Sequence, residues 1–152
     1  MTKRATQTIL KILYILLVVL FIAFIFSNSL ESRETSTSKS TGVLKAINEI
    51  LENINSPITL KEVFIRKCAH FTEFFILGSL LFGLLCMYKC VNKSNLVYAG
   101  FFGCLVAMTD ETIQYFSNRG SMLLDVWLDF IAASCALLIF GSIYFAYKKR
   151  KK

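Results

Sequence analysis

The distribution of charged residues constrains this fold more than any other feature of the sequence. Four long apolar stretches alternate with polar segments, and acidic residues are missing from every segment at one end of these stretches. About 20 apolar residues suffice to cross a bilayer as a helix. The mean hydropathy of +0.58 over 152 residues also favours a membrane protein over a soluble domain. We therefore predict an all-α integral membrane four-helix bundle, a single domain spanning residues 1–152.

The charges also predict how the chain is oriented. Ten of the 17 basic residues lie in the N-terminal segment, the 89–95 turn and the C-terminal tail, which contain no acidic residue. All ten acidic residues lie toward the opposite ends of the spans. By the positive-inside rule, we expect a plasma-membrane protein with both termini in the cytoplasm. The basic excess is thus a topology signal, and we expect no nucleic-acid partner.

The predicted spans cover about 9–26, 64–88, 96–116 and 122–147. The first outer loop, 27–63, is long. Apolar residues recur at helical spacing over 43–54 with charged residues on the other face, which predicts a short amphipathic helix there. The Ser/Thr-rich stretch 35–41 before it is expected to be loosely ordered.

The end of this outer loop carries a second helix signal. Pro57 ends the amphipathic segment, and Thr59 followed by Glu62 fits a capping box. This pattern predicts that the helix of the second span begins at Thr59. Small residues on the later spans, at Ala99, Gly103, Ala107, Ala133 and Gly141, predict close helix contacts within the bilayer.

Three spans carry ionisable residues near their outer ends. On the second span, Arg66, His70 and Glu73 share one helix face by their i, i+4, i+7 spacing. A rise of about 1.5 Å per residue places the groups on all three spans at a similar depth. Ionisable groups at membrane depth are costly, so this layer predicts a functional site. The predicted ligand-binding residues are Arg66, Lys67, His70, Glu73, Asp110, Glu111, Gln114, Arg119, Asp125 and Asp129.

The predicted polar layer is not balanced in charge. It contains three cations and five carboxylates, so its net charge is −2 when His70 is neutral. Buried charge without compensation is unstable. A protonated carboxylate, a charged His70 or a bound cation would each restore the balance.

The residues of this layer resemble the VanZ-like family of bacterial membrane proteins. The matching stretches are RKCAHFTEFFILGSL at 66–80 and TDETIQYFSNRGSMLLDVWLDFIAA at 109–133. The Phe-Ser-Asn-Ser stretch at 26–29 also resembles the end of the family's first span. Asp129 departs from the family pattern, in which Asn is typical. The family positions are occupied here by Lys67, His70, Phe71, Glu73, Asp110, Glu111, Gln114, Arg119 and Asp125.

The resemblance implies a role in the bacterial cell envelope. The family takes its name from a protein linked to low-level resistance to the glycopeptide teicoplanin, which implies a contribution to glycopeptide tolerance. The resemblance supplies no chemical mechanism. It therefore does not decide how the polar layer works.

Three interpretations of the layer remain open at the level of sequence. It could be a purely structural network that fixes helix ends. It could bind a headgroup, with the cations taking phosphate or carboxylate from a membrane lipid, a lipid-linked cell-wall precursor or a glycopeptide. It could be the site of an enzyme acting on a lipid-linked substrate, although no HExxH or GxSxG motif is present. Candidate acid/base residues are then His70, Glu73, Asp110 and Glu111, and a metal held by His70 and carboxylates is a further option. The sequence specifies neither a metal nor a cofactor.

Overall fold

The structure, a computed structural model, describes residues 3–31, 33–53, 60–117 and 123–151, without the side chains at 33–36 and 39. Its helices are α1 (Lys3–Leu30), α2 (Arg33–Asn53), α3 (Glu62–Met87), α4 (Lys93–Phe116) and α5 (Leu123–Arg150). The described part contains no strand. Four helices, α1, α3, α4 and α5, are long and apolar enough to cross a membrane. The predicted all-α membrane fold with an additional helix in the first loop is confirmed.

The helices are longer than the apolar stretches that identify them. α1 continues beyond the predicted span of 9–26 into polar residues at both ends. A helix satisfies its own backbone hydrogen bonds, so it can continue through the interface without help from the side chains. As a result Asn28 and Ser29 belong to α1 and not to a loop.

The outer segment differs from its prediction in two ways. The expectation of loose order at 35–41 is wrong, because α2 already begins at Arg33, ten residues before the predicted amphipathic helix. The predicted helix start at Thr59 is also wrong, since α3 begins at Glu62. Lys61 occupies the N-cap with extended backbone angles and makes no side-chain capping bond. Pro57 and Thr59 themselves lie outside the described residues.

Close contacts between small residues hold α3, α4 and α5 together. A Cβ added to Gly78 on α3 would overlap the carbonyl oxygen of Ala133 on α5 and lie 2.9 Å from its Cα. A Cβ on Gly103 of α4 would lie 3.3 Å from the Ala133 Cβ. The predicted role of small residues in packing is thus confirmed at Gly103 and Ala133, and Gly78 adds a third helix to that contact.

This crossing positions the polar residues. Asp129 lies about one helical turn from Ala133, while His70 and Asp110 lie about two turns from Gly78 and Gly103. All three are displaced toward the same end of the bundle. The crossing at Ala133 therefore fixes the distances among three helices just below the polar layer.

α1 and α2 complete the architecture at the periphery. Among the described residues, α1 packs on α3 and α4 but not on α5, and α2 packs only on α3. The Asn48 side chain of α2 accepts a hydrogen bond from the backbone N–H of Leu60, just before α3, at 3.1 Å. At the opposite end of the bundle, the Lys11 ammonium of α1 lies 4.6 Å from the ring centroid of Tyr88. The end of the bundle that carries Lys11 is thus opposite the end that carries the acidic residues.

Candidate functional site

A cluster of polar side chains is buried between the helices near the acidic end of the bundle. Asp110 and Asp129 are 0% exposed, Gln114 is 3% exposed and Glu111 is 5% exposed. Ser29 of α1 is as deeply buried as they are. In a helical membrane bundle such side chains face the protein interior because lipid cannot solvate them.

Asp110 is the most extensively bonded member of this cluster. The Ser29 hydroxyl donates to its Oδ1 at 2.5 Å, and the Gln114 amide donates to its Oδ2 at 2.9 Å. Gln114 lies one turn after Asp110 on the same helix, a spacing that brings their side chains together. These bonds fix the orientation of the Asp110 carboxylate and link α1 to α4.

His70 brings α3 to the same carboxylate. Its Nδ1 lies 3.9 Å from Asp110 Oδ2, and the His70 side chain is 18% exposed. The histidine of the second span thus approaches a carboxylate of a later span. The imidazole therefore connects the buried acidic residues with the more accessible face of α3.

Asp129 is in a different situation from Asp110. Neither of its carboxylate oxygens has a hydrogen-bond partner among the residues that the structure describes. Asp110, Glu111, Asp125 and Glu73 all lie close enough to act on it electrostatically, and all four are acidic. A buried carboxylate without a partner costs several kcal/mol as an order of magnitude, so this position requires compensation.

An ion pair and a hydrogen bond between helices lie at the edge of the buried cluster. Lys67 on α3 forms a 2.7 Å ion pair with Asp125 on α5, and both side chains are partly exposed. Asn28 on α1 donates to Glu73 Oε1 on α3 at 2.8 Å. These contacts tie α3 to α5 and to α1 at the level of His70.

A cavity of about 380 Å³ opens beside His70 between α1, α2 and α3. Arg66, His70 and Glu73 lie on its α3 wall, and the Arg66 Nε is a buried donor with no acceptor in the described part of the chain. We call this the Arg66 cavity. Its full lining consists of Phe24, Asn28, Glu31, Ser40, Val43, Ile65, Arg66, Ala69, His70 and Glu73.

A second opening reaches Glu111 of the polar layer. It has a volume of about 540 Å³, lies between α4 and α5, and is lined by Glu111 together with Met108, Phe116 and Trp127 among other apolar residues. Asp110 and Asp129 line neither opening. The polar residues that the structure describes therefore do not all line one opening.

Nine of the ten residues predicted from sequence lie in this layer, and Arg119 lies outside the described residues, as does neighbouring Ser121. Whether they bind a ligand stays a prediction. The sequence interpretation missed Asn28 and Ser29 as site residues. The available signal was a pair of small polar residues at the end of the first span, at the depth of the charged residues.

The four apolar helices and the polar cluster buried among them define a multi-pass membrane protein. The family model described as VanZ/LLP1 matches residues 11–144, so the chain belongs to the VanZ/LLP1 family. The resemblance found in the motifs is thereby confirmed. No curated protein and no solved structure matches the chain significantly.

Proposed function

We propose that this protein binds the anionic headgroup of an envelope lipid or a lipid-linked cell-wall precursor in the Arg66 cavity. The observation that carries the proposal is the buried Nε of Arg66, which has no acceptor among the described residues. A guanidinium group binds phosphate or carboxylate through charge-assisted hydrogen bonds. An anionic headgroup would satisfy this donor and offset its positive charge.

The walls of the cavity suit an amphipathic ligand. Phe24 and Val43 supply apolar surface. Neutral or basic polar groups come from Asn28, Ser40, Arg66 and His70, and carboxylates come from Glu31 and Glu73. Ligand sites commonly combine a mainly apolar lining with a few polar groups, at volumes of about 300–1,000 Å³. The 380 Å³ of this cavity is enough for a headgroup, with the acyl chains remaining in the bilayer.

The amphipathic helix α2 gives the cavity its third wall. Ser40 and Val43 come from α2, which contacts no other spanning helix than α3 within the described chain. A helix of this kind lies in the membrane interface. In our proposal α2 covers the headgroup at the outer leaflet, with both termini of the protein in the cytoplasm of the bacterial cell.

Binding can be tested by native mass spectrometry of the purified protein with phosphatidylglycerol, undecaprenyl phosphate and uncharged diacylglycerol. We expect the two phosphate-bearing lipids to bind in preference to diacylglycerol. Arg66→Gln should weaken their binding about 10–100-fold, because a hydrogen bond to a charged group contributes about 1.5–3 kcal/mol.

Lys45→Gln is the matched control, since it removes one positive charge from an exposed position of α2. It should leave lipid binding unchanged, because an exposed charge contributes little. Equal binding by wild type and Arg66→Gln, with both proteins folded, would overturn the proposal. Conversion of a bound lipid into a product would replace it with the enzyme interpretation.

The proposed consequence for the cell is glycopeptide tolerance, which the family resemblance suggests. Deleting the gene should lower the teicoplanin concentration that inhibits growth, and the wild-type gene should restore it. Complementation with Lys45→Gln should match wild type, while Arg66→Gln should fail despite a normal protein level in the membrane. If cells that carry Arg66→Gln keep full teicoplanin tolerance, tolerance does not depend on ligand binding in the Arg66 cavity.

A further inference from the structure

We infer that His70, Asp110 and Asp129 form a binding site for one divalent transition-metal ion, with Mn²⁺ and Zn²⁺ as the best-suited ions. Each residue offers a ligand atom, and the three atoms lie within 4.8 Å of one another. The three ligands come from α3, α4 and α5. This site lies behind the Arg66 cavity and does not depend on the headgroup proposal, since the two share only His70.

The spacing of the ligand atoms is close to what one metal ion needs. Two donors bound at about 2.0–2.2 Å from the same ion lie at most about 4.4 Å apart. His70 Nδ1 and Asp110 Oδ2 are 3.9 Å apart, which is within this limit. All three donor atoms lie within 4.8 Å of one another, so the set is close to the size that one ion requires.

Asp129 supplies an independent indication of a ligand. It is 0% exposed, and neither of its oxygens has a hydrogen-bond partner in the described residues. Buried carboxylates in proteins are paired, hydrogen-bonded or coordinated to a metal. One Asp129 oxygen lies close to the other two donors, so a cation between them would coordinate this otherwise unpaired carboxylate.

The charges around Asp129 favour a cation. The carboxylates that act on it are those of Asp110, Glu111, Asp125 and Glu73. Of these, Asp125 is paired with Lys67. A divalent ion at Asp129 would offset two of the negative charges at the point where they are most deeply buried.

The donor set indicates the class of metal. Carboxylates alone would suit Mg²⁺ or Ca²⁺, whereas an imidazole nitrogen favours transition metals. Ser29 and Gln114 hold the Asp110 carboxylate by hydrogen bonds, as residues around metal ligands typically do. Three protein ligands leave coordination positions open for water or for an oxygen of a bound ligand.

His70 is the only histidine in the chain, which allows a direct test on the wild-type protein. The full-length protein is purified with a tag that contains no histidine, stripped with a chelator and titrated with Mn²⁺. We expect about one Mn²⁺ per chain, displaced by Zn²⁺. Pulsed electron paramagnetic resonance should detect ¹⁴N coupling to the bound Mn²⁺, and that nitrogen can come only from His70 when no other imidazole is present.

Variants then test the carboxylates. Asp129→Asn keeps the size of the side chain and introduces the residue typical of the family at this position, and it should weaken Mn²⁺ binding at least tenfold. Glu49→Gln on the exposed face of α2 is the control and should bind as wild type does.

Two results on the wild-type protein would overturn the inference, whatever the folding of the variants. One is the absence of stoichiometric Mn²⁺ or Zn²⁺ binding. The other is bound Mn²⁺ without ¹⁴N coupling. An infrared band of a protonated carboxylic acid that disappears in Asp129→Asn, with no metal bound, would assign the compensation to a proton instead.

Discussion

The crossing of α3 and α5 at Gly78 gives the sharpest prediction about stability. In Gly78→Ala the new Cβ would meet the Ala133 carbonyl oxygen, with the Ala133 Cα at 2.9 Å and its carbonyl carbon at 3.0 Å. These are backbone atoms, so no side-chain rotation can relieve the overlap. The two helices must move apart, which loosens packing along their whole interface.

The expected change in the free energy of unfolding of Gly78→Ala is the difference between two opposing effects. Overpacking a close contact costs about 1–3 kcal/mol, and the backbone clash places Gly78→Ala at the upper end. Replacing glycine with alanine inside a helix recovers about 1 kcal/mol. The net destabilisation is therefore about 2 kcal/mol, which corresponds to a melting temperature lower by about 4–8 °C for a chain of this size.

Gly42→Ala on α2 is the matched control, because a Cβ there meets nothing within 4 Å. Only the helix-propensity term remains, so the melting temperature should stay the same or rise by at most about 4 °C. Both variants can be compared with wild type by circular dichroism during heating in the same detergent. If Gly78→Ala melts at or above the wild-type temperature, the proposed close contact between the α3 and α5 backbones is refuted.

Two further predictions concern the buried hydrogen bonds and the topology. Ser29→Ala removes the hydroxyl donor to Asp110 and should lower the free energy of unfolding by about 1.5–3 kcal/mol. Ser27→Ala, at an exposed position of the same helix, should change the free energy of unfolding by less than about 0.5 kcal/mol. Equal effects of the two variants in a denaturant titration would contradict this prediction. The positive-inside rule places the two ends of the bundle on opposite sides of the membrane. In a cysteine-free background, a membrane-impermeant thiol reagent should therefore label Ser38→Cys on intact cells and Lys151→Cys only after permeabilisation. Labelling of both positions on intact cells would exclude the four-span topology.

The sequence predicted most of the site because its charges are unusual for a membrane span. An ionisable residue in an apolar stretch stands out, and its helical spacing shows which neighbours share its face. Arg66, His70 and Glu73 could therefore be grouped before their helix was seen. The proximity of His70 and Asp110 was suggested by the similar depth of the polar groups together with the helix faces that they share.

Uncharged contributors were harder to predict. Ser29 and Asn28 carry no charge, and small polar residues are common where a span ends, so their position at the depth of the charged residues was a weak signal. Their role depends on α1 continuing as a helix beyond its apolar stretch. Ser/Thr-rich sequence likewise has low helix propensity, yet the helix α2 includes it from Arg33 onward.

Side-chain packing decided the remaining features. Asp110 and Asp129 line neither of the two openings, and their spacing along the helices does not reveal this. The sequence also does not show that Asp129 lacks a hydrogen-bond partner. Its i, i+4 spacing with Asp125 shows that the two residues share a helix face, but not which side chains of other helices contact that face. Such features require coordinates.

The hydrogen bond between Ser29 and Asp110 joins residues 81 positions apart, and this separation bears on how the protein is made. α4 is the least apolar of the four spans, and α1 is the most apolar. An acidic residue in a span raises the cost of membrane insertion by up to about 2.5–3.5 kcal/mol. α1 and α3 are synthesised before α4. α1 carries Ser29, which donates a hydrogen bond to Asp110, and α3 carries His70, which lies 3.9 Å from the same carboxylate. The polar partners of Asp110 on α1 and α3 are thus already made when α4 is synthesised, and pairing with them reduces the cost of placing its carboxylate in the membrane.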